Sequence, residues 1–451
     1  MKKILILICL IAQTAFAQYE ANWESLDTRK TPEWFENAKF GIFIHWGVYS
    51  VPSWATKSNA DGFGSGYSEW YWERLNNKKL KIHKEFVDFH QKNYGNKAYQ
   101  EFAQDFKAEL FEPEKWAEIF KDAGAKYVVL TSKHHEGFAM WPTKTSWNWN
   151  AGDIGPRRDL AGDLSKAVKD EGLHMGFYYS LYEWYNPTYL SDVDEYVDKR
   201  MLPQMKELVT KYNPDVLWTD GEWGQSAKTW RSEEFLAWLF NDSPVKNTIA
   251  VNDRWGNDTR GGHGGFATSE YGHGGEGLKE GGYSRPWEEC RGMGESFGYN
   301  RNENLENYQT GEALVHELIS TVSRGGNLLL NIGPTGDGRI PVIMQERLHE
   351  IGAWLKVNGE AIYGSRRGLS DLELPKEVYT TTKDGNVYVI MNEWQDALSL
   401  KGLSGVKKVS MLGYDGAVDF NTKKGELNIK SPKFAPNEVP CAYAWVYKLE
   451  M

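Results

Sequence analysis

Along the chain, short apolar runs alternate with stretches whose apolar residues recur every three to four positions. Six runs have strand length: 40–45, 127–132, 175–180, 216–219, 248–252 and 327–332. Helical patterns lie between them. In 114–122, Trp116, Ile119 and Phe120 share one face and Gly124 ends the segment. Leu314, Leu318, Ile319 and Val322 repeat at i, i+4, i+5 and i+8 ahead of Gly325-Gly326, and Leu348, Ile351 and Leu355 do the same ahead of Asn358-Gly359. Strands that alternate with helices in this way predict an α/β fold, with a (β/α)8-like barrel favoured over an open sheet across residues 18–362.

After about residue 365 the helical period disappears. Short alternating segments at 386–391, 408–412 and 443–449 are separated by Asp384-Gly385 and Asp415-Gly416 turns. They predict a small C-terminal antiparallel β-sandwich domain over 363–451. At the other end, Met1-Lys2-Lys3, an apolar run from Ile4 to Ala12 and the Ala15-Phe16-Ala17 triplet form a basic, an apolar and a cleavage region in order. Residues 1–17 are expected to be a signal peptide, cleaved near Ala17, that exports the chain to the periplasm or the medium. Cys9 lacks the small residues that a lipoprotein signal places before its cysteine. No later run of 18 apolar residues exists, so no membrane span is expected.

Composition narrows the function. A length of 451 residues suits a large catalytic domain plus a smaller one, and 41% hydrophobic with 25% charged residues rules out disorder as the main state. The 52 Lys and Arg stand against 62 Asp and Glu, a net charge of −10 with no basic stripe, which argues against a nucleic-acid partner. With 20 Trp and 24 Tyr the chain holds more aromatic surface than a core requires, and this points to sugar binding. Cys290 and Cys441 form neither a disulfide framework nor a four-thiolate metal site. The Gly-rich tract 261–282 has no phosphate-binding pattern beside a strand and reads as a mobile loop.

In a β/α barrel the reactive groups sit where the strands stop. Five apolar runs end in polar or aromatic residues: His45-Trp46, His134-His135-Glu136, Glu183-Trp184, Asp220-Gly221-Glu222 and Asp253-Arg254-Trp255. Asp220 follows four strand-forming residues and precedes a glycine that lets the chain turn away, a placement that suits a nucleophile forming a covalent glycosyl intermediate. The alternative is a carboxylate that caps a helix or bridges a structural Arg. His134, His135 and Glu136 are possible metal ligands, but adjacent strand residues face opposite sides, so they converge only if the strand has ended. Binding of sugar hydroxyls by neutral imidazole, or burial as hydrogen-bonded core histidines, are the other readings for this pair and for His45. A proton donor opposite Asp220 has two candidates, Glu270 in TSEY and Glu288 in PWEEC, with Glu69 a third, supporting carboxylate.

The segments KFGIFIHWGVYSVPSW (39–54), FEPEKWAEIFKDAGAKYVVLTSKHHEGFAMWP (111–142), VLWTDGEW (216–223), VNDRWG (251–256), PWEEC (286–290) and LLLNIGPTGDG (328–338) carry a resemblance. Over residues 31–365 the chain resembles the α-L-fucosidases of glycoside hydrolase family 29. The resemblance implies a barrel followed by a β-sandwich and a retaining, exo-acting hydrolase of fucosylated glycans that needs no metal or organic cofactor. It also implies that Asp220 is the nucleophile and that His45, His134 and His135 line the fucose site. Trp46, Glu69, Trp70, Tyr178 and Trp218 complete the expected sugar-binding set, and Arg254 steadies the acid. Glu270 is the first choice for the acid/base and Glu288 the second. Phe297 stands where the family leads one to expect Trp. The side facing the leaving group is expected on loops 56–95 and 261–284, and nothing in the pattern sets an oligomeric state.

Overall fold

The computed structural model describes residues 19–272, 285–369, 372–423 and 425–451. The expected signal peptide and the part of the Gly-rich tract from 273 to 282 lie outside the described residues. Eight parallel strands form one curled sheet: β1 (Phe40–Ile44), β2 (Tyr127–Lys133), β3 (His174–Ser180), β4 (Val216–Asp220), β5 (Ala250–Val251), β6 (Ala267–Glu270), β7 (Trp287–Gly292) and β8 (Asn327–Ile332). Their order is β5-β4-β3-β2-β1-β8-β7-β6. All six expected runs are strands, although 248–252 keeps only Ala250 and Val251. β6 and β7 add to the expectation, and β6 lies inside the tract read as a loop.

The edges β5 and β6 meet through two backbone hydrogen bonds. Gly265 N–H donates to Asn252 O at 3.1 Å and Phe266 N–H to Val251 O at 3.0 Å. A Cβ at Gly265 would fall 1.9 Å from Val251 O, so only glycine permits this approach. Strands β1, β2, β4 and β8 are buried at every position because helices cover their outer faces while side chains fill the lumen. Alternate residues therefore divide between two cores. Phe43, Val129, Tyr178, Trp218, Cys290 and Leu329 point into the lumen. Ile42, Ile44, Val128, Leu130, Phe177, Leu217 and Leu330 pack outward against helices such as Pro113–Asp122 and Gly311–Ser323. A Cβ at Gly41 would lie 2.4 Å from the Tyr127 ring, so its absence gives Tyr127 its place in the lumen.

The C-terminal part is antiparallel. Strands β9 (Arg366–Arg367), β10 (Val378–Lys383), β11 (Asn386–Met391), β13 (Lys408–Met411) and β16 (Trp445–Glu450) make one sheet. β12 (Ala397–Lys401), β14 (Asp419–Lys423) and β15 (Glu426–Lys430) make a second. Val387, Val389 and Met391 face Leu398, Leu400, Leu427 and Ile429 between the sheets. The opposite face of β11 turns Tyr388 and Ile390 toward the helix Val342–Asn358, the period of two serving both interfaces. Trp354 Nε1 donates to Ala444 O at 2.9 Å and His316 Nε2 to Tyr443 O at 2.9 Å, tying the sheet to the barrel helices. Among the described residues no helix is long and apolar enough to cross a membrane.

Candidate active site

A pocket of about 380 Å³ opens at the carboxyl ends of the strands. The strand ends contribute unequally: His134 and His135 both line it, His45, Asp220 and Arg254 each enter while a neighbour turns away, and neither Glu183 nor Trp184 reaches it. His45 lines the pocket, whereas Trp46 is buried among Phe106, Phe111 and Trp116 at ring separations of 5.1, 5.0 and 5.0 Å. Trp46 is thus a core residue of the helical layer and not part of the expected sugar-binding set. The reason is parity, since residues 43 and 45 face inward and 44 and 46 outward. Glu183 likewise leaves the pocket and pairs with Lys133 at 3.0 Å and Arg200 at 2.9 Å. Asp220 and Arg254 enter, while Glu222 binds Arg260 at 2.6 Å and Asp253 accepts from Thr268 Oγ1 at 2.7 Å.

Asp220 ends β4 two residues after Trp218, on the same inward face. Its Oδ1 accepts from Arg254 Nη1 at 2.8 Å and its Oδ2 from the Tyr178 hydroxyl at 2.9 Å. Burial, the largest single influence, would raise this carboxyl, but the charges around it, Arg254 foremost and Arg260 further off, together with the Arg254 hydrogen bond outweigh it and hold Asp220 below the usual carboxylate range. Arg254 also donates from Nη2 to Glu270 Oε2 at 3.3 Å and from Nε to Thr268 Oγ1 at 3.0 Å. Its guanidinium lies 4.4 Å over the Trp218 ring, which stacks at 5.7 Å on Tyr178. One cation therefore spans the two carboxylates, and one aromatic stack fixes the cation.

The three histidines are buried, which lowers His45 and His134 to about 3 and His135 well below its ordinary value. All are neutral imidazoles near pH 7, and the hydrogen-bond network assigns two tautomers. Asn331 Nδ2 donates to Phe297 O at 2.6 Å, so its Oδ1 accepts from His45 Nδ1–H at 2.7 Å and His45 Nε2 is left as an acceptor. Ser180 Oγ gives its proton to Tyr182 O at 2.8 Å, so it accepts from His135 Nδ1–H at 2.7 Å and His135 Nε2 becomes the second acceptor. His134 and Glu136 lie past the end of β2, with His134 Nδ1 and Glu136 Oε2 facing each other at 3.5 Å. His134 lines the pocket beside His135. Two imidazole acceptors in an aromatic-walled pocket match the hydroxyls of a sugar. Among the described residues no group of three or more His, Cys, Asp or Glu is placed to hold a metal ion.

The remaining carboxyls separate cleanly. Glu270 lines the pocket and its Oε1 accepts from the Tyr67 hydroxyl at 3.3 Å. Glu69 also lines it, accepting from Gly298 N–H at 2.8 Å, and burial raises it to about 7. Glu288 does not reach the pocket. It sits beneath Trp218, one oxygen accepting from Trp218 Nε1 at 2.8 Å and the other from the Tyr127 hydroxyl at 2.5 Å. With no exposed surface and both oxygens engaged, Glu288 anchors the aromatic wall instead of meeting a substrate. Trp70 stands against His135 at 5.2 Å, and Phe297 against His45 at 4.8 Å. Tyr67, Trp223, Arg74 and Arg260 line the pocket without having been singled out, and Cys290, considered in the sequence only as a possible disulfide or metal ligand, joins them. Trp223 follows Asp220 by three positions and was legible as an aromatic at a strand end; Tyr67 and Arg74 sit in a region without strand periodicity. Cys290 and Cys441 are both free thiols.

The family model of the alpha-L-fucosidases matches residues 7–360, and that of the alpha-L-fucosidase C-terminal domain matches 372–450. The chain belongs to the alpha-L-fucosidase family. The tissue alpha-L-fucosidase of Rattus norvegicus is 41% identical over 98% of this chain and 96% of its own length. The plasma alpha-L-fucosidase of Homo sapiens is 42% identical over 96% of this chain and 92% of its own. A Thermotoga maritima alpha-fucosidase in complex with a mechanism based inhibitor matches with a TM-score of 0.83 at 38% identity, covering 96% of this chain and 100% of that one. The same enzyme in complex with fucose gives 0.81 at 38% identity. This protein is thus a glycoside hydrolase with the alpha-L-fucosidase activity of its family.

The buried groups of this fucosidase set its stability against pH. Burial raises Glu69, Glu288 and Glu303 to about 7 and Glu136 to about 8, so above the ordinary 4.5 the folded chain keeps protons that the unfolded chain releases. Those groups cost stability as pH rises. His45, His134 and His135 act in the opposite sense, because below 6.5 the unfolded chain binds protons that the folded chain does not. The two sets oppose each other between 4.5 and 6.5. Stability is expected to climb with pH up to about 4.5, to level, and to decline from about 6.5 to 8. Denaturant titrations across this range check the profile, and a steady rise from pH 6 to 8 would contradict it.

Proposed function

We propose that the enzyme is an exo-acting, retaining alpha-L-fucosidase that forms a covalent fucosyl–Asp220 intermediate. The observation that carries this reading is the Arg254 bridge, which holds Asp220 at 2.8 Å and Glu270 at 3.3 Å across one pocket. Two carboxyls on a shared cation can divide the work of nucleophile and proton donor. The depressed Asp220 is ionised and ready to attack the anomeric carbon, while Glu270 gives a proton to the leaving oxygen. Glu270 then takes a proton from water as that water displaces Asp220, and L-fucose leaves with its original anomeric configuration. A floor of Phe43, Trp218 and Phe297 closes the inner end of the pocket, which supports removal of terminal residues only. His45 and His135 Nε2 accept from sugar hydroxyls, and the apolar C6 methyl rests on aromatic faces.

Proton NMR of the first turnovers tests the stereochemistry. On a terminal alpha-L-fucoside, the alpha anomer of free fucose is expected to appear first, with the beta anomer following only by mutarotation. Beta-fucose formed first would replace the covalent intermediate with a single displacement by water.

A further inference from the structure

A second groove, of about 400 Å³, runs beside the pocket. Phe63, Gly64 and Tyr67 line both cavities, so the two are continuous across a shared wall. The junction is next to Glu270, because the Tyr67 hydroxyl donates to Glu270 Oε1 at 3.3 Å. Three rings frame it. Phe63 lies 5.6 Å from Tyr67 and 5.8 Å from Tyr271, both edge-on, and Tyr67 and Tyr271 are nearly parallel at 6.5 Å. Phe63 is 60% exposed. Asn59 and Glu295 add an amide and a carboxylate, and among the described residues no Lys, Arg or His lines the groove.

The chemistry of the proposed reaction fixes what occupies such a groove. A proton donor must reach the glycosidic oxygen, so the group bonded to that oxygen begins at Glu270, on the side of the fucose ring away from Asp220. The wall of Trp70 and Trp223 stands by His135, on the Asp220 side, and belongs to the fucose. The groove that leads from Glu270 along Tyr67 and Tyr271 belongs to the leaving group. We infer that it binds the sugar to which the fucose is linked, and that this sugar is a neutral hexopyranose. A pyranose offers a C–H face to aromatic rings and hydroxyls at its rim to Asn59 and Glu295. A sulfated or carboxylated ring would bring an anion against Glu295 with no cation among the described lining residues to receive it. The inference rests on the proposed reaction with Glu270 as the acid.

Three substrates separate the two claims. α-L-Fucosyl fluoride has a leaving group too small to enter the groove, a neutral fucosyl-galactose disaccharide fills it, and the 6-sulfate of that disaccharide fills it with a charge. Each kcat/KM is divided by that for the fluoride in the same variant, so that changes in the fucose pocket cancel. Phe63→Ala is expected to lower the neutral disaccharide ratio about five- to ten-fold, the scale of one aromatic contact. The wild-type enzyme is expected to favour the neutral over the sulfated disaccharide, and Glu295→Lys to narrow or reverse that preference. If wild type cleaves the fluoride and the disaccharide but neither ratio moves in the variants, the groove is not the leaving-group site and the reaction stands. Release of fucose from none of the substrates overturns the reaction and the groove together.

Discussion

Replacing Asp220 by glycine is expected to lower turnover of an aryl alpha-L-fucoside on the order of 10⁴-fold, about 5.5 kcal/mol of transition-state stabilisation. The carboxylate is the group that forms the covalent bond, and nothing else in the pocket replaces it. His135 Nε2 is 3.8 Å from Asp220 Oδ2, but a neutral imidazole whose other nitrogen is tied to Ser180 offers a proton acceptor and not an oxygen nucleophile of comparable reach. The fold is expected to survive, because Arg254 keeps Glu270, Thr268 and the Trp218 face as partners. Glycine also leaves a space on the face that the carboxylate occupied. Added azide should enter it and restore turnover, with β-L-fucosyl azide as the product. An α-azide from this variant, or a rate near that of wild type, would move the nucleophile elsewhere.

The same strand shows what the sequence could and could not convey. Val216-Leu217-Trp218-Thr219 reads as a buried strand, and the Asp that follows reads as a pocket residue, because hydrophobic run and polar stop coincide. β6 and β7 lacked that contrast. Their sequences, ATSE and WEECRG, hold three carboxylates whose partners lie elsewhere in the chain, on strands for Glu288 and on connecting segments for Glu270 and Glu289, so a barrel wall turned toward a polar pocket loses the apolar signature that marks a wall turned toward a core. Trp46 shows the converse error. A strand-end rule selects two adjacent residues, and only the register decides which faces the lumen; His45 does and Trp46 joins Phe106 and Trp116 outside. Glu288 shows depth as the missing variable. It has the inward parity of Cys290, but it lies two residues further down β7, where Tyr127 and Trp218 close over it. Sequence spacing gives the face of a strand and not the height along the lumen at which the pocket stops.

That difference in height yields the second large effect. Glu270→Gln is expected to reduce hydrolysis of a sugar-linked fucoside by about 10²- to 10⁴-fold, the range of general acid catalysis. The loss should shrink sharply for a leaving group that departs without a proton. With α-L-fucosyl fluoride the first half-reaction needs no acid, so the variant should form the fucosyl intermediate and then stall, because no base activates the water. Azide, which attacks without giving up a proton, should release it as α-L-fucosyl azide, opposite in configuration to the product expected from Asp220→Gly. Glu288→Gln makes the control. It keeps a carbonyl to accept from Trp218 Nε1, and its expected losses are alike for fluoride and sugar leaving groups, with no product formed with azide. A Glu288→Gln enzyme that discriminated between leaving groups, beside a Glu270→Gln enzyme that did not, would assign the proton to the deeper carboxyl and require Trp218 to swing away from it. In the present geometry Glu270 has the access, because it meets Tyr67 and Arg254 at the pocket wall while Glu288 is sealed below the indole.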